Sequence, residues 1–228
     1  MNPHLARRSL QVLTGLLLGG AIAALLLTRG SPPADAFVER PFDAPAFALE
    51  TLDGETFTEA SLRGEVSVVF FGFTHCPDIC PITLDRLSGA LRALDEEGLT
   101  FRGIFVSVDP ARDTPARLGS YMERFDPRLV ALTGTADAIE TMTEGWGIHV
   151  AFRTLAEGED PHAGHGGHDD HGDHGDRGAP TRVPAGDYTV EHSTRSLVVD
   201  RRGRIVSSLA AFLTAEEIAD QLRPLLSR

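Results

Sequence analysis

The only two thiols in the 228 residues are Cys76 and Cys80, in the run Cys76-Pro77-Asp78-Ile79-Cys80. Two cysteines do not make a disulfide framework. A pair this close also closes too small a loop to restrain an unfolded chain much. Their neighbours suggest a more active use. Glu65 to Phe73 (EVSVVFFGF) is a β-branched and aromatic run, the pattern of a strand buried on both faces. Pro81 to Leu94 places Leu84, Leu87, Leu91 and Leu94 at helical spacing. The cysteines therefore stand where a strand hands over to a helix, four residues apart and on one side of it. The helix dipole and the free N–H groups of a first turn lower thiol pKa values, so thiolate forms near neutral pH. Paired thiolates are soft donors that favour Cu(I). The same sulfurs could instead cycle between dithiol and disulfide. Both chemistries are open at this point.

Other candidate groups are histidines and carboxylates. His192 lies in a short extended stretch between Tyr188 and Leu197, where taken alone it reads as a structural histidine. His75 adjoins Cys76 but points elsewhere, which suits a role behind the ligands rather than ligation. Asp78 lies between the cysteines, and Asp109 ends a strand at the same edge of the sheet; each fits either a supporting hydrogen bond or a turn and cap. His149 reads as structural. His162, His165, His168, His171 and His174 recur every third residue among Gly and Asp, a composition that binds metals. A labile auxiliary metal store and a solvated spacer are both open for that tract.

The elements that must position these groups follow from periodicity and turn chemistry. Leu52-Asp53-Gly54 marks a hairpin. Thr100 to Val108 is a second buried strand, and Pro115 opens a helix to about Phe125 that Asp113 or Thr114 can cap. A strand at 128–132 and a helix at 136–146 come next, then strands near 148–153, 195–200 and 204–209, and a helix at 214–226. Strands alternating with helices imply an α/β fold with a mainly parallel central sheet, to which the last hairpin adds antiparallel strands. The segment from about 156 to 186 is polar and rich in Gly, Asp and His, and reads as an insertion in the domain surface.

Ahead of this domain, Leu10 to Leu27 carries no charge and is about 27 Å long as a helix, sufficient for a bilayer core of roughly 30 Å. Arg7 and Arg8 precede it, which places residues 1–9 in the cytoplasm and the domain outside. The expected organisation is a transmembrane helix at 10–28, a Pro- and Ala-rich linker at 29–44, and a folded domain at 45–228. A cleaved signal peptide ending at Ala34-Asp35-Ala36 is the alternative, and either exports the domain. A net charge of −12 argues against a nucleic-acid partner.

Four blocks then carry a resemblance. Phe71 to Pro81 (FGFTHCPDICP), Val106 to Pro115 (VSVDPARDTP), Leu132 to Thr135 (LTGT) and Tyr188 to Thr194 (YTVEHST), in that order, resemble the signatures of the Sco/SenC family of copper-binding assembly factors for cytochrome c oxidase. The resemblance implies a thioredoxin-like fold, a mixed sheet flanked by helices, with one N-terminal membrane anchor. It implies copper held by Cys76, Cys80 and His192. It also implies delivery to a copper-bearing oxidase subunit by a single-pass protein of a bacterial-type inner membrane, its domain in the periplasm. Two thiolates and one imidazole make a three-coordinate site that suits Cu(I) and tolerates Cu(II). A thiol–disulfide oxidoreductase that keeps acceptor cysteines reduced is the rival reading. The histidine tract departs from the usual family pattern.

Overall fold

The computed structural model describes residues 41–154 and 187–227. The expected anchor at 10–28, most of the linker and the His-rich insertion lie outside these residues. Among the described residues, no helix is long and apolar enough to cross a membrane.

Ten strands and four α-helices make up the described domain. The strands are β1 (Phe42–Asp43), β2 (Ala48–Thr51), β3 (Thr56–Thr58), β4 (Ser67–Gly72), β5 (Arg102–Ser107), β6 (Leu129–Thr133), β7 (Val150–Thr154), β8 (Tyr188–His192), β9 (Ser196–Val199) and β10 (Arg204–Leu209). The helices are α1 (Ile79–Asp95), α2 (Pro115–Met122), α3 (Ala136–Gly145) and α4 (Ala215–Leu226), and a 3₁₀ turn covers Glu59–Leu62. Eight strands form one mixed sheet in the order β1-β10-β9-β4-β5-β6-β2-β3. Its centre, β4-β5-β6, is parallel, and the flanking strands add on antiparallel at both sides. Phe42–Asp43, at the end of the stretch expected as linker, pairs with β10.

Alternation along the buried central strands sorts the core into two layers. Val68 and Phe70 of β4 and Phe105 of β5 face Leu84, Leu87 and Leu91 of α1, Leu118 of α2 and Leu222 of α4. Val69 and Phe71, with Ile104 and Val106, face Ile139 and Met142 of α3 and Trp146 beyond it. Helices therefore cover both faces, and the carboxyl ends of the parallel strands open at one edge. Cys76 lies against both layers there.

β7 and β8 stand apart as a two-stranded ribbon, in register from Val150↔His192 to Thr154↔Tyr188. Tyr188 and Val190 are buried in the same layer as Phe71 and Trp146, whereas Glu191 points outward and pairs with Arg153. The two-residue period puts His192 on the inward side with Tyr188 and Val190.

Candidate metal centre

Phe73-Thr74-His75-Cys76 is a tight turn between β4 and α1, closed by the Cys76 N–H donating to the Phe73 carbonyl at 3.2 Å. Cys80 sits in the first turn of α1 and is fully buried, whereas Cys76 is half-buried. His192 arrives from the other side, at the end of β8. Its Nε2 lies 3.6 Å from Cys80 Sγ. One donor atom from each of Cys76, Cys80 and His192 falls within 4.8 Å of the others.

The imidazole is held for this position. Nδ1 lies 3.0 Å from the Ser193 carbonyl. A carbonyl only accepts, so Nδ1 carries the proton and Nε2 turns its lone pair to the sulfurs. The Phe70 and Phe73 rings meet the imidazole edge-on at 6.2 and 5.8 Å. Ser193 is fixed in turn by His149, whose carbonyl accepts the Ser193 N–H at 2.9 Å and whose N–H donates to Ser193 Oγ at 3.0 Å. His149 supports the site through its main chain.

The two thiols are unlike. The Cys80 thiol donates to Cys76 sulfur and brings the Cys76 pKa down to about 4, against the opposing effect of burial. The N–H groups of Cys80 and Asp78 stabilise the same thiolate. Burial pushes Cys80 well up, and the neighbouring Cys76 thiolate raises it further. One proton is therefore shared across the pair, with the charge on the more accessible sulfur.

Gly72 makes this packing possible, a role that its place in a signature did not reveal. A Cβ there would stand 2.7 Å from Phe105 Cε2 and 2.8 Å from Cys80 Sγ. Asp113, a cap candidate by sequence, is the second residue whose role comes only from the structure. Thr114 caps α2, accepting the Arg117 N–H at 3.3 Å. Asp113 is instead fully buried and accepts from Thr74 N–H at 2.9 Å, Thr74 Oγ1 at 2.5 Å and Ser107 Oγ at 2.7 Å. It ties the cysteine-bearing turn to β5. Its one sequence signal was the Asp-Thr-Pro run, which reads as a helix cap.

The remaining candidates lie around this core. His75 is exposed, 3.8 Å from Asp113 through Nδ1, and burial together with Arg117 and Arg112 lowers its pKa. Asp78 occupies the N-cap position of α1 without a side-chain cap bond, and its part at the sulfurs is its main-chain N–H. Asp109 is fully buried, accepting from Tyr188 Oη at 2.7 Å and from Arg112 Nε. The phenol of Tyr188 is pushed up to about 12 by burial and by Asp109. Arg112 lies over the Tyr188 ring at 3.8 Å and donates to the Tyr188 carbonyl at 3.0 Å. Asp109 thus fixes the start of β8, the strand that ends in His192. His162, His165, His168, His171 and His174 lie outside the described residues.

The SCO1/SenC family model matches residues 39–171, more than half of the chain. His192 lies beyond that match, and its place at the site rests on the geometry above. Protein SCO2 and protein SCO1 of Saccharomyces cerevisiae mitochondria are each 32% identical over 85% of this chain. The chain spans about three-fifths of their length (58% and 60%). The structure of Bradyrhizobium japonicum ScoI with copper bound superposes with a TM-score of 0.62 at 31% identity, covering 81% of this chain and 100% of that one. Yeast Sco1 with copper bound gives 0.64 at 30% identity, covering 82% and 90%. With fold, motif order and thiol placement all in agreement, this chain belongs to the SCO1/SenC family.

Proposed function

We propose that this protein is a copper chaperone that binds copper through Cys76, Cys80 and His192 and assists assembly of the copper centre of cytochrome c oxidase. The observation that carries the proposal is the convergence of two sulfurs and an oriented Nε2 within 4.8 Å. Two soft donors and one imidazole form a set that takes Cu(I) in three-coordination and leaves a side open for an incoming ligand. The copper-bound relatives from Bradyrhizobium japonicum and yeast support the choice of metal. Copper is the cargo, and transfer proceeds by exchange of its thiolate and imidazole bonds for those of the acceptor. Anaerobic Cu(I) titration of the protein beside His192→Ala is the test. One tight equivalent, clearly weakened in the variant, supports the proposal; equal affinity in both removes His192 from the site.

Thiol–disulfide exchange is a second reading, favoured by a specific feature. An accessible low-pKa thiolate beside a buried protonated thiol is the asymmetry of a nucleophilic and a resolving cysteine. Thiol-reductase activity lost with Cys76→Ser, in a protein whose copper affinity did not respond to His192→Ala, would favour it.

The setting is an extension of this proposal. The uncharged run at 10–28 behind Arg7 and Arg8 supports a single-pass tether in a bacterial-type inner membrane with the domain in the periplasm. His162, His165, His168, His171 and His174 would act as a labile store that raises local copper near the main site. Deleting 160–176 lowers total copper stoichiometry on that account and leaves the tight equivalent in place. Unchanged stoichiometry would make the tract a spacer.

A further inference from the structure

We infer that the surface beside the amino end of α1 docks an acidic, apolar-tipped segment of the protein that exchanges copper with this one, an inference that rests on the chaperone reading. A shallow cleft of about 520 Å³ opens between α1 and the end of α2, floored by Pro81, Ile82 and Phe125 and walled by Arg86 and Arg124. Pro81 and Ile82 directly follow Cys80. Any partner that takes copper by ligand exchange must bring its donors to bonding distance of the metal, so it has to cover the exposed surface around the thiols.

That surface has the composition of an interaction site. Ile82 is one of three exposed large apolar residues among those described, and Phe212, 78% exposed, is another. They flank the same cation: Arg86 stands one helical turn from Ile82 and donates to the carbonyl of Ala211, the residue before Phe212, at 3.3 Å. A buried-residue account gives no reason for Phe212 to stand in solvent. The Arg124 guanidinium rests on the Tyr121 and Phe125 rings at 4.5 and 5.4 Å, and its Nε donates to the Tyr121 carbonyl at 3.3 Å. Both arginines are thus held in place before binding and lose little side-chain freedom on contact. Aromatic and arginine side chains are the groups that dominate binding energy at interfaces.

Charge selects the occupant. The chain carries 33 acidic against 21 basic residues, all of the latter Arg, so an acidic partner is repelled by most of this protein. The lining of the cleft holds two guanidinium groups against one carboxylate, Asp85, and Glu217 of α4 neighbours Arg86 from outside it, which leaves Arg124 the less compensated of the two cations. Carboxylates flanking an apolar side chain would pair with Arg86 and Arg124 while that side chain settles on Ile82 and Pro81. Such attraction sets the association rate and the orientation of encounter, which is what a transient metal transfer needs.

The test uses the full-length copper-loaded chain in detergent, with the apo copper-bearing domain of an oxidase subunit from the same organism as probe. Arg124→Glu and Phe212→Ser, singly and together, are expected to weaken binding and slow copper transfer by at least about tenfold. The wild-type rate should also fall as salt is raised. Arg202→Glu, on the turn at the opposite end of the sheet, is the control and should leave both unchanged. Copper affinity, measured separately, stays at the wild-type value in every variant and shows that the metal site is intact. Wild-type transfer rates in the cleft variants would overturn the docking inference and leave the chaperone reading standing. Failure of the wild type to bind or load the probe would overturn both. Self-association of the chain that disappears with Phe212→Ser would assign the patch to a second copy and overturn the proposed occupant.

Discussion

Gly72→Ala puts the smallest possible side chain into the tightest contact of the site, and its consequences follow from distance. The added methyl would stand 2.7 Å from Phe105 Cε2 and 2.8 Å from Cys80 Sγ. Unstrained carbon contacts lie at about 3.5–4.0 Å, so the neighbours must move by roughly 1 Å. Phe105 and Cys80 are both fully buried and have no free volume to enter. Overpacking of this kind costs about 1–3 kcal/mol. For a domain of this size the melting temperature should then fall by roughly 2–12 °C. Copper affinity should suffer out of proportion, because a displacement of roughly 1 Å far exceeds the ±0.2 Å range of a metal bond. A rise in Kd of at least about tenfold, about 1.4 kcal/mol, is expected by competition titration with a Cu(I) chelator. Gly103→Ala separates the two effects. Its methyl would meet Leu129 Cδ2 near the start of β5, away from both sulfurs, and should lower stability while leaving copper affinity as it is. Should Gly72→Ala bind copper as tightly as the wild type, or Gly103→Ala lose affinity in step with stability, the packing argument for Cys80 is wrong.

Two further outcomes can be measured on the metal-free protein. Cys76, with its pKa near 4, should react with iodoacetamide at a rate almost independent of pH from neutrality down to about 5, falling only below that, whereas buried Cys80 stays unreactive through the same range. Because the folded pKa of Cys76 is depressed, its stabilising contribution is full above the ordinary thiol range and fades as pH drops towards 4; mass spectrometry of the labelled peptide that shows a midpoint near 8.5 would contradict the thiolate assignment. Asp113→Ala strands the Thr74 N–H and hydroxyl and the Ser107 hydroxyl, and should cost about 2–5 kcal/mol in urea denaturation, with Asp113→Asn recovering part of it; equal losses in the two variants would deny the carboxylate its anchoring role.

The strand and helix that carry the thiols were legible because their patterns are strong. SVVFFG is buried at every position, and the leucines of α1 keep one helical stripe from 84 to 94. The edge strands were harder. β7 and β8 pair with each other rather than with the main sheet, and the partners are separated by more than thirty residues of unrelated composition. No local signal links Val150 to His192, so the sequence alone could show His192 as an extended residue but not that it faces the sulfurs. Its ligand role came from a block resemblance; the two-residue period of β8, once paired, supplies the physical reason. Asp113 was readable only as a cap, since Asp before Thr-Pro fits that motif as well as an anchor to a distant turn. Gly72 carried no signal at all: the need for a missing Cβ depends on which buried atoms come within 3 Å.

Copper K-edge X-ray absorption on the Cu(I)-loaded protein, beside His192→Ala, tests the three-ligand site most directly. Two sulfur scatterers and one imidazole nitrogen are expected in the wild type, with the imidazole signal lost and both sulfurs retained in the variant. An all-sulfur environment in the wild type, or an unchanged nitrogen signal after removal of His192, would contradict it.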